Sequence, residues 1–126
     1  MDWRRAMAWV DRYERAWRTP GVDVLAELFT PDATYQQAPY RQPVVGLPAL
    51  ARMWEAERTG PDERFAMTAA PVALEGDTAV VRVEVRYGDP VTQEYRDLWV
   101  VRFAADGRCR AFEEWPFWPG GDYRPG

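Results

Sequence analysis

The sequence predicts an α+β domain in which three N-terminal helices close a strongly curved, mostly antiparallel sheet around a pocket, a cone in outline. Three observations carry this reading. Apolar residues recur at helical spacing through the first half of the chain, and from Phe65 the pattern changes to long β-rich runs separated by tight turns. The aromatic content is also high: seven Trp, six Tyr and five Phe in 126 residues. That is more than a plain core uses, because each buried Trp or Tyr must place an N–H or O–H, so the excess points to a lined pocket.

Residues 2–18 form the first expected helix, with Trp3, Ala6, Met7, Val10, Tyr13 and Trp17 on one face and Arg4, Arg5, Asp11, Arg12 and Arg15 on the other. Asp2 can cap its start, and Thr19-Pro20-Gly21 stops it. A short helix over 22–29 turns Leu25, Leu28 and Phe29 inward. Pro31-Asp32 then leads into a short strand, Ala33 to Gln37, and Ala38 to Gly46 reads as a loop because Pro39, Pro43 and Gly46 interrupt it. Leu47 to Arg58 is the third helix, with Pro48 in its first turn and Leu47, Leu50, Ala51 and Trp54 on one face. Gly60-Pro61-Asp62 ends it.

The expected strands are Phe65–Leu74, Thr78–Tyr87, Gln93–Phe103 and Arg108–Trp115, an antiparallel meander. One domain spans 1–118 and an irregular tail covers 119–126. Strict alternation assigns the faces. Val81, Val83, Val85 and Tyr87 share the side facing the helices, as do Tyr95, Asp97, Trp99, Val101 and Phe103. In the last strand the same rule turns Cys109, Ala111, Glu113, Trp115 and Phe117 inward, and Arg108, Arg110, Phe112 and Glu114 outward. The outward face then carries Arg82, Arg86, Arg96, Arg102 and Arg110 interleaved with Glu84, Leu98, Val100 and Phe112. That mixture suits a homodimer interface with cross-subunit Arg–Glu pairs, and it also suits a solvated face with scattered ion pairs.

Composition excludes several chemistries. The chain has no His, Ser, Lys, Asn or Ile. A Ser/His triad, a Cys/His pair, a Schiff-base lysine and a His-based metal site are therefore ruled out, and no cofactor is expected. Cys109 is the lone cysteine, which precludes an intrachain disulfide and a thiolate cage and fits a reducing cytoplasm. It reads as a small buried hydrophobe, with no base to activate it. A net charge of −4 argues against a nucleic-acid platform, and no apolar run is long enough for a membrane span. The missing Lys, Asn and Ile suggest a GC-rich, bacterial genome.

The order helix–helix–short strand–helix followed by a four-strand meander resembles the nuclear transport factor 2-like superfamily, in particular its SnoaL-like branch. The resemblance rests on VDRYERAWRTPGVDVLAELFTPDATY, QPVVGLPALARMW and LWVVRFAADGRCRAFEEW, which together span most of the chain. It implies the cone fold. The superfamily includes ketosteroid isomerase, scytalone dehydratase, polyketide cyclases, limonene epoxide hydrolase and non-catalytic binding domains, so fold alone does not select a function. The isomerases' oxyanion tyrosine falls on Tyr13. Their general base falls near Gln37, which takes no proton, and their second acid near Trp99. The dehydratase and cyclase histidine has no counterpart, and the epoxide hydrolase asparagine is missing.

The residues themselves then supply the candidate site. Asp97 and Glu113 come from adjacent strands among rings, where desolvation and a neighbouring carboxylate both raise a carboxyl's pKa, as acid/base catalysis requires. With Tyr13 they are the candidate catalytic groups; Trp17, Phe29, Tyr35, Trp54, Tyr95, Trp99 and Trp115 are the candidate ligand-binding ones. Tyr13, Tyr35 or Tyr95 could hydrogen-bond a carbonyl or phenol. A buried structural acid at Asp97 fits the same pattern. Three readings stay open: a binder of a small apolar or aromatic molecule, a cofactor-independent isomerase, cyclase or hydrolase, and a structural dimer module.

Overall fold

The computed structural model describes residues 1–58 and 64–121, so the Gly60-Pro61-Asp62 stop and the end of the tail lie outside the described residues. Helix α1 spans Trp3–Arg18. Asp2 caps it as expected, accepting the Arg5 N–H at 2.9 Å. Its buried stripe is Ala6, Trp9, Val10, Tyr13 and Ala16, with Trp3, Met7 and Trp17 flanking it. Trp9 is thus the centre of the stripe rather than outside it. The second helix, α2, shrinks to the single turn Leu25–Leu28 and passes directly into strand β1, Phe29–Gln36. The loop after β1 contains a two-residue strand, β2 (Val44–Val45), before α3 over Leu47–Glu57.

Four longer strands follow: β3 (Phe65–Glu75), β4 (Thr78–Tyr87), β5 (Gln93–Phe103) and β6 (Cys109–Phe117). The sheet order is β2-β1-β6-β5-β4-β3, with every pairing antiparallel except β1 with β6. The helices pack against one face of this curved, open sheet. At their centre the Trp9 ring stands edge-on to Phe29 and Phe103 at 5.6 and 5.8 Å, and its N–H donates to the Leu28 carbonyl at 2.9 Å. A large ring can be fully buried there because its one polar atom is satisfied.

One irregularity changes which residues face inward. Arg102 pairs with Ala111, but the next residue, Phe103, pairs with Cys109. Arg110 is therefore an extra residue, a β-bulge, and strict alternation fails across it. Cys109 and Phe112 are both buried on the helix side. Beyond the bulge, Glu114 lies opposite the inward Trp99 and Pro116 opposite the inward Asp97. Phe112 and Glu114 thus face the helices, whereas Ala111, Glu113 and Trp115 face out, which corrects the phase expected for this strand.

The outer face keeps its arginine ladder without Phe112. Glu84 lies 3.8 Å from Arg86 and 3.6 Å from Arg96, and Glu94 lies 3.5 Å from Arg86. Leu98 and Trp115, paired across β5 and β6, form an exposed apolar island among these charges.

Candidate functional site

Between α1, α3 and the concave face lies a cavity of about 650 Å³. Its closed end is built by Tyr13 of α1, Tyr35 of β1, Asp97 and Trp99 of β5 and Glu114 of β6. Rings and apolar side chains, among them Trp17, Met53, Phe65, Met67, Tyr87 and Tyr95, make its walls. Gln37, Arg41, Glu57 and Arg64 also line it, and the last three are exposed. The rim segment after β1 is tied down by Gln36, whose amide donates to the Pro39 and Arg41 carbonyls at 3.2 and 3.0 Å.

The Tyr13 and Tyr35 hydroxyls are hydrogen-bonded to each other at 2.6 Å. Both rings lie nearly parallel to Phe112, with centroids 5.6 and 4.4 Å away, so the inward turn of Phe112 sets their spacing. Burial pushes both phenols well above their ordinary pKa; the next cause is the charge of Glu114 for Tyr13 and the neighbouring Tyr13 for Tyr35. Both therefore stay neutral. One of the two protons closes their mutual bond and the other remains available to an acceptor.

Beside them Asp97 and Glu114 form a carboxyl pair. Burial is the main cause that raises the Glu114 pKa well above the carboxylate range; the hydrogen bond to Asp97, the Asp97 charge and the Glu57 charge add to it. Burial also raises Asp97, offset by bonds accepted from Glu114, from the Trp99 indole and from the Phe117 backbone. The pair therefore shares one proton and carries a single negative charge between its two ionisations. Asp97 is covered, with 4% of its surface exposed and no other well-formed bond to its Oδ1. Glu114 keeps contact with the cavity. The Trp17 indole N–H is buried without a well-formed hydrogen bond, so the lining holds a donor whose bonding capacity is unused.

The structure brings together Tyr13, Trp17, Tyr35, Tyr95, Asp97 and Trp99 of the residues singled out from sequence. Four others lie elsewhere. Glu113 and Trp115 are on the outer face, where the exposed Trp115 indole donates to the Glu113 carboxylate at 3.1 Å. Phe29 and Trp54 are fully buried core residues; Trp54 stands behind the cavity wall, edge-on to Tyr13 and Trp17. Glu114 is the cavity-lining acid that alternation missed. The signal for it was present: Phe112 is a large ring among the charges assigned to the outer face, and one extra residue before it would turn both inward. Cys109 is buried, and burial pushes its thiol up to about 12, far from a reactive thiolate. Among the described residues no group of three or more His, Cys, Asp or Glu side chains could hold a metal ion. None of the described helices is long and apolar enough to cross a membrane.

Comparison with known proteins places this architecture. A ketosteroid isomerase candidate from Kribbella flavida superposes with a TM-score of 0.68 at 18% identity, covering 98% of this chain and 84% of that one. The Mycobacterium tuberculosis protein RV0760c superposes with a TM-score of 0.72 at 12% identity, covering 87% and 89% respectively. At such identities the likeness is one of fold. No curated protein sequence matches the chain. The model of the SnoaL-like domain matches residues 10–112, so the stretch from α1 to the inward turn of Phe112 carries the family's pattern, and the chain belongs to the SnoaL-like family.

Proposed function

We propose that the chain binds a small, largely apolar aromatic or polycyclic molecule in this cavity, with one polar group of the ligand at the Tyr13–Tyr35 and Asp97–Glu114 end. The observation that carries the reading is the cavity itself. Its 650 Å³ lies within the roughly 300–1,000 Å³ of small-molecule sites, and it combines ring-bearing walls with polar groups that converge at one end. Trp17 and Trp99 line it, so binding is readable as quenching of their fluorescence. Naphthalen-2-ylmethanol is expected to quench saturably. Tyr35→Phe should weaken that alcohol about five- to tenfold, the equivalent of one hydrogen bond, and leave naphthalene unchanged. Failure of every such aromatic probe to saturate would sink the reading.

A second reading is favoured by the protonation of the carboxyl pair. A cavity-facing acid that keeps its proton, beside a carboxylate that has lost one, can act as acid and base on an acidic C–H without a cofactor. The neutral tyrosine pair would then hydrogen-bond the substrate oxygen. Deuterium uptake at the acidic C–H of a bound aryl ketone assays this, and a chain that catalyses no exchange above buffer would leave binding as the function.

The outer face, with Glu84 and its arginines around Leu98 and Trp115, supports a homodimer, and the lone cysteine and the missing Lys, Asn and Ile support a bacterial cytoplasm. Sedimentation at micromolar protein should give twice the 14.6 kDa chain mass, and Glu84→Arg should shift it toward monomer. A clean monomer for the parent returns this face to solvent.

A further inference from the structure

The charge at the closed end of the cavity restricts what the ligand's polar group can be. Asp97 and Glu114 stand there among the rings of Tyr13, Tyr35 and Trp99, and among the described residues no arginine is a cause of the shift at either carboxyl. Among the described residues the other cations near the cavity are exposed or already engaged, Arg58 being buried against Trp17. Arg41 and Arg64 are exposed, Arg18 lies over the Phe65 ring at 3.9 Å and pairs with Glu14, and Arg58 lies over Trp17 at 5.9 Å and pairs with Glu55. Glu57 on α3 adds a further negative charge to the lining. A ligand anion placed at this end would meet the carboxylate charge in a poorly solvated site, where like charges are costly. A cation would meet a carboxylate, hydroxyl oxygens and several ring faces, the surroundings that bind ammonium groups in aromatic boxes. Asp97 supports this independently of charge counting, because its covered carboxylate has Glu114, Trp99 and the Phe117 backbone beside it and, among the described residues, an Oδ1 with no well-formed hydrogen bond.

Resting on the ligand-binding reading of the cavity, we propose that its ligand is an aromatic amine in the cationic form, an arylalkylammonium whose N–H groups face Glu114 and the Tyr13–Tyr35 hydroxyls. Glu114 makes the contact because it is the less covered of the two carboxyls, and Asp97 stands behind it as the other half of the charged pair. The ring system of the ligand lies against Trp17, Trp99 and Tyr87. Binding requires that the pair keep its one charge, so it weakens as pH falls and the pair takes its second proton. Around Glu114, the groups that bear on this charge are Asp97, Tyr13, Tyr35, Tyr87 and Glu57, with Arg41 and Arg64 farther out along the lining.

An isosteric series tests the proposal by tryptophan quenching of the full chain. Naphthalen-2-ylmethylamine is expected to bind at least about tenfold more tightly than naphthalen-2-ylmethanol at pH 7, which corresponds to about 1.4 kcal/mol. Naphthalene-2-carboxylate is expected to bind more weakly than both. The amine's advantage should shrink on acidification while the alcohol stays flat. Asp97→Asn combined with Glu114→Gln leaves no charge on the pair and should remove the advantage, with near-UV dichroism like the parent's showing that it is folded; Asp97→Asn alone, the second variant should the double one not fold, should reduce it. An alcohol that binds as tightly as the amine, or an amine advantage unchanged in both variants, overturns this inference and leaves the ligand-binding reading in place. If none of the three probes binds, both fail together.

Discussion

Phe112→Ala is expected to destabilise the chain by about 3–5 kcal/mol, lowering the thermal midpoint by more than about 10 °C. The ring is 2% exposed and meets Trp9, Tyr13, Tyr35 and Trp99, so its removal leaves a cavity that these rigid neighbours cannot fill. The same change would also free the two tyrosine rings that stack on it and loosen their hydroxyl contact, so near-UV dichroism should collapse with the midpoint. Glu113→Gln, one position further along the strand, is the control. It lies on the outer face with its carboxylate bonded to an exposed indole, and it should melt within about 0.5 kcal/mol of the parent. If instead Phe112→Ala is mild and Glu113→Gln severe, the strand runs in the other phase and the bulge at Arg110 is absent.

Glu114→Gln should stabilise the protein above neutral pH, and the sign follows from linkage. In the fold the Glu114 pKa lies well above the usual carboxylate range, first because of burial and then because of Asp97, and Asp97 is raised too. Between the unfolded and folded values the native state holds protons that the unfolded state has released, so stability falls as pH rises through that window. The favourable contribution is fully present below the unfolded pKa and lost once pH passes the folded one. Glutamine keeps the shape and never ionises, so it escapes this loss. The variant should therefore match the parent near pH 4 and exceed it by on the order of 1–3 kcal/mol at pH 8–9, the scale for relieving an ill-solvated buried group. Thermal melts across pH check it; parallel curves for parent and variant would show that Glu114 ionises freely. If the chain is an acid/base catalyst, the same variant should abolish deuterium uptake at pH 7 even while it melts higher, because the amide cannot carry the proton. Retained exchange would place the chemistry on Asp97 with a tyrosine.

The sequence by itself determined the element order, the fold class and the inward sides of β4 and β5. These features rest on short-range periodicity: Val81, Val83 and Val85 alternate with Arg82, Glu84 and Arg86, and the Gly76, Gly88 and Gly107 turns bound strands whose ends match the structure within one or two residues. It also showed by omission which catalytic groups could not be present, and it placed Tyr13, Tyr35 and Asp97 near a pocket. Tertiary structure decided the partner of Asp97. Alternation is a local rule, and it holds only while each residue opposes one residue on the neighbouring strand; Arg110 opposes none, so every side chain after it changes side. That single insertion exchanged Glu113 for Glu114 and brought Phe112 into the ring cluster. Depth was likewise beyond the sequence. Trp17 and Trp54 share apolar helix faces in the same spacing, yet Trp17 lines the cavity and Trp54 lies sealed behind it, because which ring reaches the space depends on how α1 and α3 lean over the sheet.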